Sequence, residues 1–121
     1  MPHARRLLGT RGEALAEQFL TQRGYRVLVR NYRCPYGEID LICRDGSCLV
    51  FVEVKTRRGS AFGEPEEAVT AAKMTHIVHS AEHCLAQLDE PDQQWRIDVL
   101  AISLDTSGAL RDIRLIAGVG G

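Results

Sequence analysis

Nothing in the 121-residue chain approaches the roughly 18 to 20 consecutive apolar residues that a membrane-spanning helix requires. The opening residues, MPHARRLLGTRGE, lack the apolar centre of a secretory signal. A cytoplasmic setting with no membrane partner is the resulting expectation. Four cysteines are present (Cys34, Cys43, Cys48 and Cys84), but no two form a Cys-x-x-Cys pair. Three of them fall in strand-like segments, so buried thiols of a reducing compartment are expected ahead of a zinc site or a disulfide framework. Internal repeats, low-complexity tracts and interdomain linkers are also missing, which leaves one domain over residues 1–121.

A strong net charge is lacking too: the formal balance is −1. Its distribution is uneven. Residues 1–60 hold 11 Lys/Arg against 6 Asp/Glu (+5), and residues 61–121 hold 4 against 10 (−6). A basic half is compatible with an anionic polymer as partner, provided the two halves do not intermix in the fold.

What is present reads as α-β-β-β-α-β-β. Residues 10–23 place Leu15, Ala16, Phe19 and Leu20 on one helical stripe, with Gly24 where a C-terminal cap belongs. Residues 25–33, 37–44 and 47–56 read as strands, the last two joined through Asp45-Gly46, a strong hairpin signal. Residues 56–67 break the pattern and read as an exposed loop. A helix follows over 70–88, with Met74, Ile77, Val78, Ala81, Leu85 and Leu88 at helical spacing. Two strands, 95–104 and about 110–116, close the chain; the first is apolar enough to be covered on both faces. A hairpin followed by a helical crossover implies a mixed sheet with helices packed on it.

The hairpin carries the chemistry. With Asp45-Gly46 as the two-residue loop, Arg44 opposes Ser47, Asp40 opposes Phe51 and Glu38 opposes Glu53. Alternation then projects Glu38, Asp40, Glu53 and Lys55 from one face, leaving Ile39, Leu41, Cys43, Val50, Val52 and Val54 for the core. Carboxylates brought together this way repel unless a cation joins them. Lys55 is one candidate; a hard divalent ion such as Mg²⁺ is another. Glu13, on the flank of the first apolar stripe, is placed to lean over the rim of the same pocket. Taken singly, a Glu-x-Lys on a strand is more often a solvated ion pair.

Glu13, GYRVLVRNYR, GEIDLI, FVEVKTR and the helix near Lys73 together resemble the YraN family of small bacterial proteins over nearly the whole chain. That family looks like the restriction-endonuclease-like superfamily, with its Asp…Glu-x-Lys core, and like the Holliday-junction resolvases in particular. The resemblance implies Asp40, Glu53, the Val54 carbonyl and Glu13 as ligands of Mg²⁺ or Mn²⁺. It also implies Lys55 as the residue positioning the attacking water. Lys73 and an Arg57-Arg58 loop are expected near phosphates, with Arg30 and Arg33 as further nucleic-acid contacts. The superfamily's Pro-Asp dipeptide is absent, and Glu38-Ile39-Asp40 stands in its place.

An endonuclease acting on branched or single-stranded DNA is the first functional expectation. A non-catalytic nucleic-acid-binding or adaptor module of the same fold is the second, and an interaction protein with a merely acidic hairpin the third. A homodimer would suit a resolvase, because a four-way junction presents paired strands. Lys55 is expected to orient and stabilise charge, because neighbouring carboxylates raise a lysine's pKa. His76, His79 and His83 read as a solvated helix face, and Arg96 with Asp98 as a structural ion pair. Tyr25, Tyr32 and Tyr36, interleaved with arginines, suit either strand packing or stacking on bases.

Overall fold

The computed structural model describes the backbone of residues 3–59 and 70–119, with side chains from Gly12 onward. Its elements are α1 (His3–Gln22), β1 (Arg26–Cys34), β2 (Gly37–Asp45), β3 (Cys48–Arg58), α2 (Ala71–Ala86), β4 (Trp95–Leu104) and β5 (Leu110–Ile116). The fold is α/β, and the order is the one the sequence predicts. The five strands form one sheet in the order β1-β2-β3-β4-β5, antiparallel except for the β3–β4 pair. Parallel pairing of β3 with β4 requires a crossover, and α2 supplies it.

The sheet separates two apolar clusters. On one face, Ala16 and Leu20 of α1 meet Leu41, Cys43, Val50, Val52, Leu100, Ile102 and Leu104, with Leu15 and Phe19 packed alongside. On the other, Ile77, Ala81 and Cys84 of α2 cover Ile42, Leu49, Phe51 and Ile97. The interior strand β4 is buried over most of its length, as a strand covered on both faces must be. Gly24 follows the last turn of α1, and its φ of +91° turns the chain so that the Tyr25 N–H reaches the carbonyl of Leu20. All four cysteines are free thiols.

Several boundaries differ from expectation. α1 begins at His3, well before residue 10. Arg57 and Arg58 extend β3 and are not loop residues; most of the expected 56–67 loop lies outside the described residues. Leu88 falls beyond α2 and is 40% exposed.

The hairpin register is the principal correction. Asp45 pairs with Cys48 and Leu41 with Val52, so the loop is Gly46-Ser47 and Asp40 no longer faces Phe51. Asp-Gly and Gly-Ser are overlapping two-residue hairpin signals; here Gly46 takes the first central position at φ +61°. The pairing moves by two residues, so Asp40 and Glu53 keep their shared face. Ile39 departs from strict alternation and packs in the cluster beneath α2.

Candidate active site

Past the α2-covered cluster, the same face of β2 and β3 turns from apolar to charged. The ladder pairs Leu41 with Val52, and beyond it the Asp40 carboxylate accepts the Val54 N–H at 2.7 Å. A side chain thus takes a place in the backbone pairing, which draws Asp40 in toward β3. Glu53 is 5% exposed, an unusual depth for a carboxylate, and two ammonium groups meet it: Lys73 Nζ at 2.9 Å and Lys55 Nζ at 3.6 Å. Lys73 is set in the first turn of α2, where the Thr70 hydroxyl caps the helix by accepting the Lys73 N–H at 3.1 Å.

Tyr36, Gly37, Glu38, Asp40, Glu53, Lys73, His76 and Ile77 line a cleft of ≈ 410 Å³. Its electrostatics follow from burial and crowding. Burial first, then the charge of Glu53, with Glu38 and Glu13 adding to it, raises the Asp40 carboxyl to about 7 against the opposing Val54 hydrogen bond. Glu13, half-buried on α1, therefore lies near enough for Asp40 to sense its charge. Burial and the adjoining Lys73 depress the Lys55 ammonium below the ordinary lysine range. Carboxylates alone would raise it; here desolvation and a like charge outweigh Glu53, so the shift runs opposite to the direction expected. For Lys73, burial likewise favours loss of the proton, but the adjoining Lys55 amine and the Glu53 carboxylate outweigh it and hold its proton more tightly than usual.

The arginines are distributed differently. Arg30 is ion-paired with Glu17 of α1, its Nε lying 2.9 Å from Oε2, and so is directed away from the cleft. Arg33 is exposed, 3.9 Å from Glu38 at the cleft's rim. Arg58 donates from Nε and Nη2 to the Thr106 carbonyl at 3.1 and 2.8 Å, which ties it to the β4–β5 turn. Arg57 is half-buried two residues beyond Lys55, on the same face by alternation. His76 was not anticipated in the cleft wall. It follows Lys73 by three residues, and i, i+3 spacing on a helix is the signal that finds it.

Among the described residues no three His, Cys, Asp or Glu side chains are grouped as a ready-made cage. The Asp40 and Glu53 carboxylates that line the cleft are hard oxygen donors of the kind Mg²⁺ uses when it keeps its waters and takes further oxygens from a phosphate. The raised Asp40 carboxyl is the group whose ionisation such an ion would favour.

Comparison with known proteins adds the lineage. A family profile described as "Uncharacterised protein family UPF0102" matches residues 12–102, which include Glu13, Asp40, Glu53, Lys55 and Lys73. The chain belongs to the UPF0102 family. This is the YraN grouping that its motifs resemble. A UPF0102 protein of Symbiobacterium thermophilum is 49% identical over 106 residues, covering 88% of this chain and 90% of its own length. One of Beutenbergia cavernae is 45% identical over 117 residues, covering 97% and 98%. One of Caldicellulosiruptor saccharolyticus is 41% identical over 112 residues, covering 93% and 95%. Among the described residues of this UPF0102 chain, no helix is long and apolar enough to cross a membrane.

Proposed function

We propose that this UPF0102 chain is a divalent-metal-dependent endonuclease that hydrolyses phosphodiester bonds in DNA, selecting branched or single-stranded structures. The observation that carries the reading is one cleft lined by a buried Glu53, a charge-crowded Asp40 and Lys73, with Lys55 paired to the same Glu53. Asp40, Glu53 and the Val54 carbonyl would hold the ion, with Glu13 contributing at the rim. Bound Mg²⁺ or Mn²⁺ supplies Lewis acidity toward a phosphoryl oxygen and acidifies a coordinated water. Lys55, with Glu53 beside it, would orient the attacking water and stabilise developing charge, and its depressed pKa leaves more of it unprotonated than an ordinary lysine. Lys73 is positioned to exchange its bond to Glu53 for one to a phosphate oxygen, where a compact ammonium serves as a point charge.

A second reading has its own observation. Glu53 is already neutralised by two ammonium groups, an arrangement that would also serve a binding module without turnover. Titration of Mg²⁺ and Mn²⁺ against a panel of DNA structures separates the two. Cleavage that requires the metal and disappears in Asp40→Asn and Lys55→Ala supports the endonuclease. Binding that survives both substitutions, with no product under either metal, supports the module.

A further inference from the structure

We propose that Tyr36, braced by His79 and His83, is a stacking platform that receives an unpaired nucleobase beside the cleft; this rests on the nucleic-acid reading above. The three tyrosines have separate fates. Tyr25 is buried and donates its hydroxyl hydrogen bond to Asp98 at 3.1 Å. Tyr32 is half-buried against the cluster beneath α2. Tyr36 is 50% exposed, in the β1–β2 turn between Pro35 and Gly37.

Two imidazoles meet the Tyr36 ring. His79 lies 5.7 Å away between centroids at 67° between planes, and His83 lies 5.8 Å away at 61°. The histidines are four residues apart on α2, so both rise on the same side of the helix. Neither contact is parallel, so neither imidazole is stacked on the ring, which stays half exposed. A half-exposed aromatic ring held in one orientation loses little entropy when another flat group settles on it.

The occupant follows from what adjoins the ring. Tyr36 and Gly37 line the same cleft as Asp40, Glu53, Lys73 and His76. A strand with a phosphate at Lys73 would bring a neighbouring base to the turn. Stacking accepts any base, since every base has a π-face, but it needs a base already free of its duplex partner. Tyr36 would thus select single-stranded or unpaired segments without reading their sequence.

Fluorescence anisotropy in EDTA and in Ca²⁺ tests this, using a labelled single-stranded oligonucleotide, its duplex and a single strand of abasic residues. Tyr36→Ala should weaken single-strand binding about tenfold, while Tyr36→Phe stays within about twofold of wild type. Duplex affinity should not change, and wild type should bind the abasic strand as weakly as Tyr36→Ala binds the normal one. Equal single-strand affinity for wild type and Tyr36→Ala, or an equal loss on single strand and duplex, overturns the platform and leaves the endonuclease reading standing. Equal wild-type affinity for the normal and abasic strands overturns the platform as well, without any substitution. A wild type that binds none of the three removes the nucleic-acid reading and the platform with it.

Discussion

Asp40 bears the strongest like-charge crowding in the cleft, and this has a sign that can be worked out. Below the unfolded carboxylate pKa, near 4, the group is protonated in both states and contributes no penalty. Between there and its folded value of about 7, the native protein retains a proton that the unfolded chain has released. Stability therefore falls as pH rises through that window, and the full penalty is present above it. Asp40→Asn keeps an acceptor for the Val54 N–H while removing the charge. In EDTA at pH 8 it should stabilise the protein by on the order of 2–4 kcal/mol in urea denaturation, and by little at pH 4.5. An equal gain at both pH values would mean that something other than ionisation is responsible. Mg²⁺ should stabilise wild type at pH 8 and leave Asp40→Asn unmoved. Much of this crowding was legible in sequence, since alternation alone places Asp40, Glu53 and Lys55 on one face. Lys55 shows what was not: its direction of shift depends on burial depth and on Lys73, a residue 18 positions away on another element.

At the scale of elements, the position of Glu13 depends on how closely α1 crosses β3. A Cβ added at Gly12 would lie 3.1 Å from Thr56 Cβ and 3.3 Å from its Cγ2, and closer still to the hydroxyl. Turning the Thr56 side chain cannot relieve all three contacts, because its Cβ is fixed to the strand. Gly12→Ala should therefore lift the amino-terminal part of α1 and cost about 1–3 kcal/mol. Thr56→Ala in the same chain should recover part of that loss, and thermal melts of both singles and the double variant would give the coupling. Strictly additive losses would place the strain elsewhere. This contact has no signature in the sequence, where Gly12 reads as an ordinary helix-weakening residue. The apolar stripes did, since Ala16, Leu20, Ile77 and Ala81 recur at helical spacing and end in the core. The register was legible only to its parity: overlapping Asp-Gly and Gly-Ser signals permit two loops, both of which place the same side chains on the same faces.

At the scale of the molecule, buried carboxylates among the described residues stand at two places, Glu53 and Asp98. At the start of β4, Asp98 is fully buried on the α1 side. It accepts hydrogen bonds from Arg96 Nε at 3.0 Å, Tyr25 at 3.1 Å and the Gly118 N–H at 3.0 Å. Arg96 continues to Asp45 at 3.0 Å, so β2, β4, the start of β1 and the segment after β5 are joined. Among the described residues, no buried side-chain nitrogen or oxygen lacks a partner. A network closed in this way has no group left over for a ligand, whereas the cleft further along β3 holds a crowded carboxylate and a lysine of depressed pKa. The first is closed on itself; the second, where like charges crowd a buried carboxyl, is the place at which we propose the ion and the nucleic acid bind. Asp98→Ala should accordingly cost about 3–5 kcal/mol, because it strands Arg96 and the Tyr25 hydroxyl in a partly dry site. Well below its melting temperature, the folded variant should still bind Mn²⁺ and DNA within about threefold of wild type, since these losses arise from the unfolded fraction. Urea denaturation and isothermal titration on the same preparation measure both quantities. A folded Asp98→Ala protein that no longer binds the ion would show that the buried network sets the geometry of the cleft, and that the two ends of the sheet act as one unit.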